Sequence, residues 1–173
     1  MRFWFEELRP SDRFKRDAQL DEKIRQRFAD LRAALIASPP PPSSLDARTL
    51  LAAVVVFDQF SRNLFRESAA AYEADAQALA LAKHAVATGV DRSLNEQQRY
   101  FLYMPFMHSE DRAMQAESVR LFTALDSAEG AKWAEHHRGI VERFGRFPHR
   151  NVLLGRQSTP EELEFLQQEP SFA

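Results

Sequence analysis

Three short polar segments of this sequence carry residue types that bind ligands or transfer protons. The first, residues 58–66, reads Asp-Gln-Phe-Ser-Arg-Asn-Leu-Phe-Arg and follows the most apolar stretch of the chain. Asp58, Arg62 and Arg66 recur every four residues, and an acid before a base at this spacing forms a favourable ion pair on one helix face. Two interpretations follow: a structural ion pair at a helix end, or a carboxylate–guanidinium pair that presents Asn63 and Arg66 to a ligand.

A second polar segment, residues 103–111, places a histidine at a predicted break between two helices. It reads Tyr-Met-Pro-Phe-Met-His-Ser-Glu-Asp, and its proline predicts a kink or an end to the preceding helix. His108 beside Glu110 has the composition of an acid–base pair or of part of a metal site, although the spacing matches no strong metal motif. Backbone N–H groups at the next helix start favour an anion, whereas Glu110 and Asp111 oppose one. The structural alternative is a capping turn at Ser109.

The third polar segment is locally basic. From Arg143 to Pro160 the sequence has four arginines and one histidine, and it has no acidic residue. Guanidinium groups recognise carboxylate or phosphate in bidentate geometry. These arginines either bind an anionic ligand or pair with acidic groups of the chain, namely Asp58, Glu110, Asp111 and the C-terminal glutamates. The candidate ligand-binding residues of the three segments are Asp58, Arg62, Asn63, Arg66, His108, Glu110, Arg143, Arg146, His149, Arg150 and Asn151.

The adjacent histidines at 136 and 137 look like a metal pair in composition only. Neighbouring residues point about 100° apart on a helix, whereas helical metal pairs use spacings of three or four. His137 falls on the apolar face that also carries Trp133, Ile140 and Val141. We therefore expect a buried, hydrogen-bonded histidine at position 137 and predict no metal ligand.

Composition argues against several classes of protein. The chain has no cysteine, which excludes disulfides, thiolate metal sites, iron–sulfur clusters and cysteine nucleophiles. Its net charge of −2 and pI of about 6.2 argue against a nucleic-acid partner. P-loop, dinucleotide-binding and zinc-protease motifs are missing. We predict a cytoplasmic protein without a cofactor and without a membrane segment, since the longest apolar run, residues 50–57, is too short to span a bilayer.

Hydrophobic periodicity and boundary signals predict an all-α protein with one domain over residues 1–173. With 173 residues, of which 45% are hydrophobic, the chain is large and apolar enough for a core. Short loops favour antiparallel helix pairs. Roughly seven to nine helices are predicted from caps, prolines and glycines. They cover residues 18–37, 46–60 and 69–88, a helix opened by Ser93–Glu96, one capped by Ser109, residues 128–144, a short helix from Pro148 to Gly155, and a last one from Thr159 onward. We expect residues 46–60 to be buried on most sides, Gly89 to be a left-handed cap, Gly145 to end its helix, and Thr159 with Glu162 to form a capping box.

Long stretches of the chain resemble one bacterial family. The segments DQFSRNLFR, FLYMPFMHSEDR and RFGRFPHRNVLLGRQSTPEELEFL, together with the opening FWFEE, resemble the family called domain of unknown function 924. The resemblance runs from about Phe3 to Phe172. It implies an all-α fold in which antiparallel helix pairs stack as a tetratricopeptide-like right-handed superhelix. It implies no activity and transfers no catalytic residue.

Three functional hypotheses remain open at the level of sequence. The first is a helical domain that binds a small anionic ligand, phosphate or carboxylate, or a peptide through the arginine, histidine and asparagine side chains. The second is an enzyme that uses His108 or His149 as general acid–base on an anionic substrate. The third is an interaction scaffold, because stacked helical repeats bind peptides along a concave face. The sequence does not indicate an oligomeric state.

Overall fold

The computed structural model describes residues 1–168, which form eight α-helices and no strand. The all-α prediction is therefore confirmed, and the number of α-helices in this part of the chain lies within the predicted range. The helices are α1 (Ala18–Ala37), α2 (Ala47–Val55), α3 (Ser61–Leu64), α4 (Asp75–Thr88), α5 (Glu96–Met107), α6 (Arg112–Ala124), α7 (Ala128–Phe144) and α8 (Pro160–Gln168). Short 3₁₀ and π-helical turns fill several connections, among them the π-helical turn Val56–Phe60 and the 3₁₀ turn Pro148–Arg150.

Several helix boundaries follow from local chemistry that is visible in the sequence. The Asp17 carboxylate caps α1 by accepting hydrogen bonds from two backbone amides of its first turn. The Ser127 hydroxyl caps α7 by accepting one hydrogen bond, from the Gly130 amide. Gly89 and Gly145 adopt left-handed conformations, with φ of 75° and 70°, at the C-terminal ends of α4 and α7. These are the positions where only glycine adopts such a φ without strain.

The start of α4 differs from the prediction of a helix over residues 69–88. Residues 69–71 form a separate 3₁₀ turn, and α4 begins at Asp75. The Ala70 carbonyl accepts a hydrogen bond of 2.9 Å from the Arg32 guanidinium. Ala74, with φ of −101° and ψ of 7°, lies outside the α-helical region, which is the physical reason for the later start.

Pro105 does not end its helix, because α5 continues past the proline to Met107. The predicted end at Pro105 is therefore wrong, and the alternative, a kink, stays a prediction. Proline removes one backbone donor, and one missing hydrogen bond close to a helix end is tolerated. The capping box that opens α5 consists of Asn95 and Gln98, whose side chains each accept from the other's backbone amide. Ser93 does not take part, since its hydroxyl donates to the Val90 carbonyl.

The cap of α6 is likewise displaced by two residues from the predicted Ser109. The Asp111 carboxylate accepts from the Met114 amide and is the N-cap of α6. The Ser109 hydroxyl instead accepts from the Asp111 amide and stabilises the turn before the helix. At the start of α8 the predicted capping box is confirmed, because Thr159 and Glu162 exchange both hydrogen bonds.

The described residues group into two compact units. The first unit contains Met1–Arg66 and Ala70–Pro105, and the second contains Glu67–Ala69 and the described residues from Phe106 onward. The core of the first unit is built around α2, whose side chains Leu50, Leu51 and Val54 are fully buried. The predicted burial of this helix on most sides is therefore confirmed. The prediction of one domain stays a prediction.

The core of the second unit contains Ile140, Val141, Phe147 and Phe165, and it lies where α7 meets the segment that follows Gly145. The buried residues of α6, which packs along α7, include Leu121 and Phe122. This packing leaves two turns, between α5 and α6 and after α7, to carry most of the polar residues singled out from the sequence. No helix among residues 1–168 has the length and apolarity that a membrane crossing requires.

Candidate functional site

The first polar segment lies in the first unit and forms the predicted ion pair. Asp58 is 1% exposed and its carboxylate lies 3.1 Å from the Arg62 guanidinium. Arg62 also pairs with Asp75 of α4 at 3.0 Å and donates to the Asp58 carbonyl. The Asp–Arg spacing of four therefore has the structural consequence expected of it, and a second acid from another helix shares the same guanidinium.

Asn63 and Arg66 also have a partner in the first unit, the Asp21 carboxylate of α1. The Asn63 amide donates to one Asp21 oxygen at 2.8 Å, and the Arg66 guanidinium donates to the same oxygen at 2.7 Å. Helix α3 ends at Leu64, so Arg66 leaves the stripe that Asp58 and Arg62 share. These contacts favour the structural interpretation of the first segment. Its role in ligand binding stays a prediction.

The second and third polar segments meet in the second unit. Glu110 accepts a hydrogen bond of 2.8 Å from the Phe147 amide and two, of 2.7 and 2.9 Å, from Arg156. Arg150 is 6% exposed and donates to the His108 carbonyl at 2.9 Å. The turn that carries His108 is thereby fastened to the turn that carries His149. Both histidines belong to one connected arrangement of side chains.

Gln115 of α6 also holds the His108 turn, and sequence reasoning missed it. Its side chain is fully buried, and its amide nitrogen donates to the carbonyls of Met107 and Ser109 at 2.7 and 2.6 Å. The carbonyls of the residues before and after His108 are thus fixed by one side chain. The signal in the sequence is the helical spacing of this glutamine, three residues before Ser118 and seven before Phe122, which places it on the same helix face as the apolar Phe122.

Four of the five histidines of the chain come together in the second unit, and we call His108, His136, His137 and His149 the histidine cluster. The His137 ring lies 6.3 Å from that of His108 and 6.2 Å from that of His136, measured between centroids. Phe147 lies beside both His137, at 5.5 Å, and His149, at 5.6 Å.

The histidine cluster has an accessible aromatic neighbour. Trp133 lies 5.8 Å from His136 and is 36% exposed. Around the cluster the described residues contain no group of three side chains arranged as metal ligands. The arrangement is therefore a set of imidazoles between a buried phenylalanine and a half-exposed tryptophan.

His137 is held neutral by its surroundings. Burial lowers the pKa of His137 to about 3, with further lowering by the nearby imidazoles of His108, His136 and His149. The Trp133 carbonyl, 2.8 Å from Nδ1, acts in the opposite direction and fixes the ring. The predicted hydrogen bond of His137 is therefore present, although the side chain is half-buried and not fully buried.

The basic segment is largely neutralised by carboxylates. Glu162, 2% exposed, accepts two hydrogen bonds from Arg146 at 2.7 and 2.8 Å and one from Asn151 at 3.2 Å. The Arg146 hydrogen bonds, aided by the Thr159 amide, lower the pKa of Glu162 to about 2. Arg143 pairs with Glu161 at 2.7 Å. Glu110 and the C-terminal glutamates thus supply the acidic partners of this segment.

Comparisons with known proteins agree with this helical architecture. The sequence profile of a bacterial protein family of unknown function, DUF924, matches residues 1–170. The chain belongs to this family. The solved structure of the protein of unknown function ATU0120 from Agrobacterium tumefaciens is 40% identical to this DUF924 chain, with a TM-score of 0.87. The match covers 92% of the DUF924 chain and 90% of the other. The search of curated proteins found no match to this chain.

Proposed function

We propose that this DUF924 protein binds a small anionic ligand, phosphate or carboxylate, at the histidine cluster. The observation that carries the proposal is the gathering of four imidazoles around Phe147, beside the accessible Trp133. Crowded imidazoles repel one another when they are charged, and an anion among them offsets that repulsion. Arg150 contributes a permanent positive charge, with its guanidinium 4.7 Å from the centre of the Phe147 ring.

Rigid positioning of the histidine cluster supports the same proposal. Gln115 and Arg150 fix the backbone on either side of His108, and Glu110 fixes the turn that leads to His149. Sites held by buried hydrogen bonds lose little entropy when a ligand binds. The buried polar groups of the second unit are therefore placed where a ligand site would use them.

The proposal predicts an affinity for anions that depends on pH. Sulfate keeps its charge between pH 6 and 8, so only the protein titrates in that range. A bound anion stabilises the protonated form of a neighbouring imidazole, so binding is coupled to the uptake of a proton. The affinity for sulfate therefore rises as pH falls. Isothermal titration calorimetry with sulfate at pH 8 and pH 6 measures this directly. Equal affinity at both values would contradict the role of the histidines.

Single substitutions in the histidine cluster test the site. We expect His108→Asn and His149→Asn each to weaken sulfate binding about tenfold, the size of one lost charged hydrogen bond. The matched control is His84→Asn, which changes the remaining histidine, located on α4 of the first unit. It should bind sulfate as the unmodified protein does. Unchanged binding by both cluster variants, with circular dichroism showing a native fold, would refute the proposal.

General acid–base catalysis by His108 is a second candidate function, favoured by the fixation of its backbone on both sides. A catalytic proton donor must be held within hydrogen-bond reach of its substrate. A panel of phosphate and carboxylate esters tests this function, and turnover should be lost in His108→Asn. Absence of turnover with every ester, while sulfate still binds, would contradict the catalytic function and leave anion binding as the one supported function. A peptide partner, a cytoplasmic location and tetratricopeptide-like stacking stay predictions.

A further inference from the structure

The first unit contains a cavity of about 450 Å³ to which the polar segments contribute one lining residue, the apolar Phe60. Pockets for small molecules have volumes of roughly 300 to 1,000 Å³ and mostly apolar walls. The apolar lining of this cavity includes Phe3, Phe28, Leu31, Val55 and Phe60. It lies where the N-terminal π-helical turn, Phe3–Glu7, meets α1, α2 and the π-helical turn Val56–Phe60.

The walls of this cavity are well defined because three phenylalanine rings pack against one another. Phe28 lies 4.8 Å from Phe60 and 5.0 Å from Phe3, measured between ring centroids. Leu31, on the same lining, is 46% exposed. An exposed leucine beside packed aromatic rings leaves apolar surface in water that a ligand's hydrocarbon would cover.

The polar part of the lining carries an excess of positive charge. Arg2 and Arg27 both pair with the single carboxylate of Glu7, at 3.4 and 2.7 Å, and all three residues line the cavity. Two guanidinium groups share one carboxylate, so the group as a whole carries one positive charge. The Arg27 guanidinium also lies 4.5 Å from the centre of the Phe3 ring, directly beside the apolar walls.

We propose that this cavity binds an amphipathic carboxylate of the medium-chain fatty acid type. The hydrocarbon chain packs against the wall formed by Phe3, Phe28 and Phe60, and the carboxylate pairs with the guanidinium of Arg27. A carboxylate complements the positive charge that Glu7 leaves uncompensated, and a hydrocarbon complements the apolar walls. This site lies in a different unit from the histidine cluster and takes a ligand that, unlike a small anion, has a hydrocarbon chain.

Trp4 provides a direct readout of the cavity. Trp4 lines the cavity and is 1% exposed, and its indole N–H has no hydrogen-bond partner among residues 1–168. The chain has two tryptophans, so Trp133→Phe leaves Trp4 as the one fluorophore of this kind. Octanoate is the probe, and 1-octanol and octyltrimethylammonium are probes of equal chain length without the negative charge.

We expect octanoate to change Trp4 emission in a saturable way, with an affinity about tenfold higher than that of 1-octanol. Octyltrimethylammonium should bind more weakly than either. Arg27→Met keeps the apolar stem of the side chain and removes the charge. It should lower octanoate affinity to that of 1-octanol without changing 1-octanol binding. Lys23→Met, an exposed substitution on the same helix, is the matched control and should bind octanoate normally.

A cavity-filling variant tests the location independently of charge. Ala52 lines the cavity, and Ala52→Leu adds volume to that wall, so it should abolish the response to both octanoate and 1-octanol. The proposal is overturned by a lack of saturable response up to the solubility limit of octanoate, or by octanoate binding that Arg27→Met leaves unchanged. Trp4 emission that changes with protein concentration, together with dimers in sedimentation, would overturn it in favour of a second copy of the chain.

Discussion

The pKa of His137 depends on residues distant in sequence as well as on its position in α7. The sequence places it on the apolar face of α7, which predicts burial and a local hydrogen bond. Burial is the main cause that lowers its pKa to about 3, and the imidazoles of His108 and His149, which belong to other parts of the chain, add to the lowering. No local pattern indicates that these imidazoles meet. The electrostatics of the site were therefore outside the reach of sequence reasoning.

The lowered pKa of His137 predicts a loss of stability in acid. The unfolded imidazole has its ordinary pKa near 6.5, so between about pH 6.5 and pH 3 the unfolded state binds the additional proton. The stability that neutral His137 provides is present above pH 6.5 and is lost as pH falls towards 3. Urea unfolding at pH 7.5 and pH 5 should show a smaller loss in His137→Gln than in the unmodified protein. An equal loss in both proteins would contradict this assignment.

Glu162 and Glu161 are adjacent glutamates with opposite degrees of burial, and they predict opposite results on substitution. Glu162 is buried and bonded to Arg146, Asn151 and the Thr159 amide, so Glu162→Gln should lower the free energy of unfolding by about 1–3 kcal/mol. Glu161 is exposed and pairs with Arg143, which is also exposed. Glu161→Gln should therefore change the free energy of unfolding by less than about 0.5 kcal/mol. Urea unfolding at neutral pH measures both. Similar effects of the two substitutions would contradict this reading of burial.

Partners in sequence were easier to predict than partners in space. The Asp58–Arg62 pair follows from a spacing of four along one helix, and the structure contains it at 3.1 Å. The Asp21 carboxylate that binds Asn63 lies 42 residues away, and nothing in the sequence links the two. Gln115 was missed for the same reason, because its partners are backbone carbonyls of a turn whose course depends on tertiary packing.

At the scale of helices, the sequence is most informative where a boundary depends on one or two residues. The left-handed glycines at the ends of α4 and α7 and the capping box of α8 were predicted and are present. The boundary of α6 was predicted wrongly, because the cap is Asp111 and not Ser109, two residues before it. The choice between them depends on which side chain has a competing hydrogen bond, and that is a property of the folded turn.

Two glycines of α7 and its C-terminal cap predict effects of opposite sign. Gly145 has a φ of +70°, so Gly145→Ala should destabilise the protein by about 1 kcal/mol through backbone strain. Gly139 lies inside the helix, and Gly139→Ala should stabilise by about 0.5–1 kcal/mol. A Cβ at either position meets no atom within 4 Å, so packing does not complicate the comparison. Chemical denaturation compares the variants, and effects of the same sign would contradict the argument.

At the scale of the whole molecule, composition and helical periodicity were sufficient to predict the fold class. The match to a solved structure over 92% of the chain agrees with it. The division into two compact units was not predicted. The sequence patterns of helices with short connections are the same whether the helices form one compact unit or two, because the difference lies in contacts between distant residues. The polar segments predicted as one site accordingly fall into different units.

The contact between Glu110 and Arg156 has a consequence for folding during synthesis on the ribosome. These residues are 46 positions apart, and closing a loop of that length has an entropic cost that must precede the gain from the contact. Chains are made from the N-terminus, and a segment folds only after it has left the ribosome. The turn that carries His108 is synthesised long before the arginine and the glutamates that complete its surroundings. The proposed ligand binding at the histidine cluster therefore requires synthesis to have passed residue 156, and we expect nascent chains that stop before it to lack this binding.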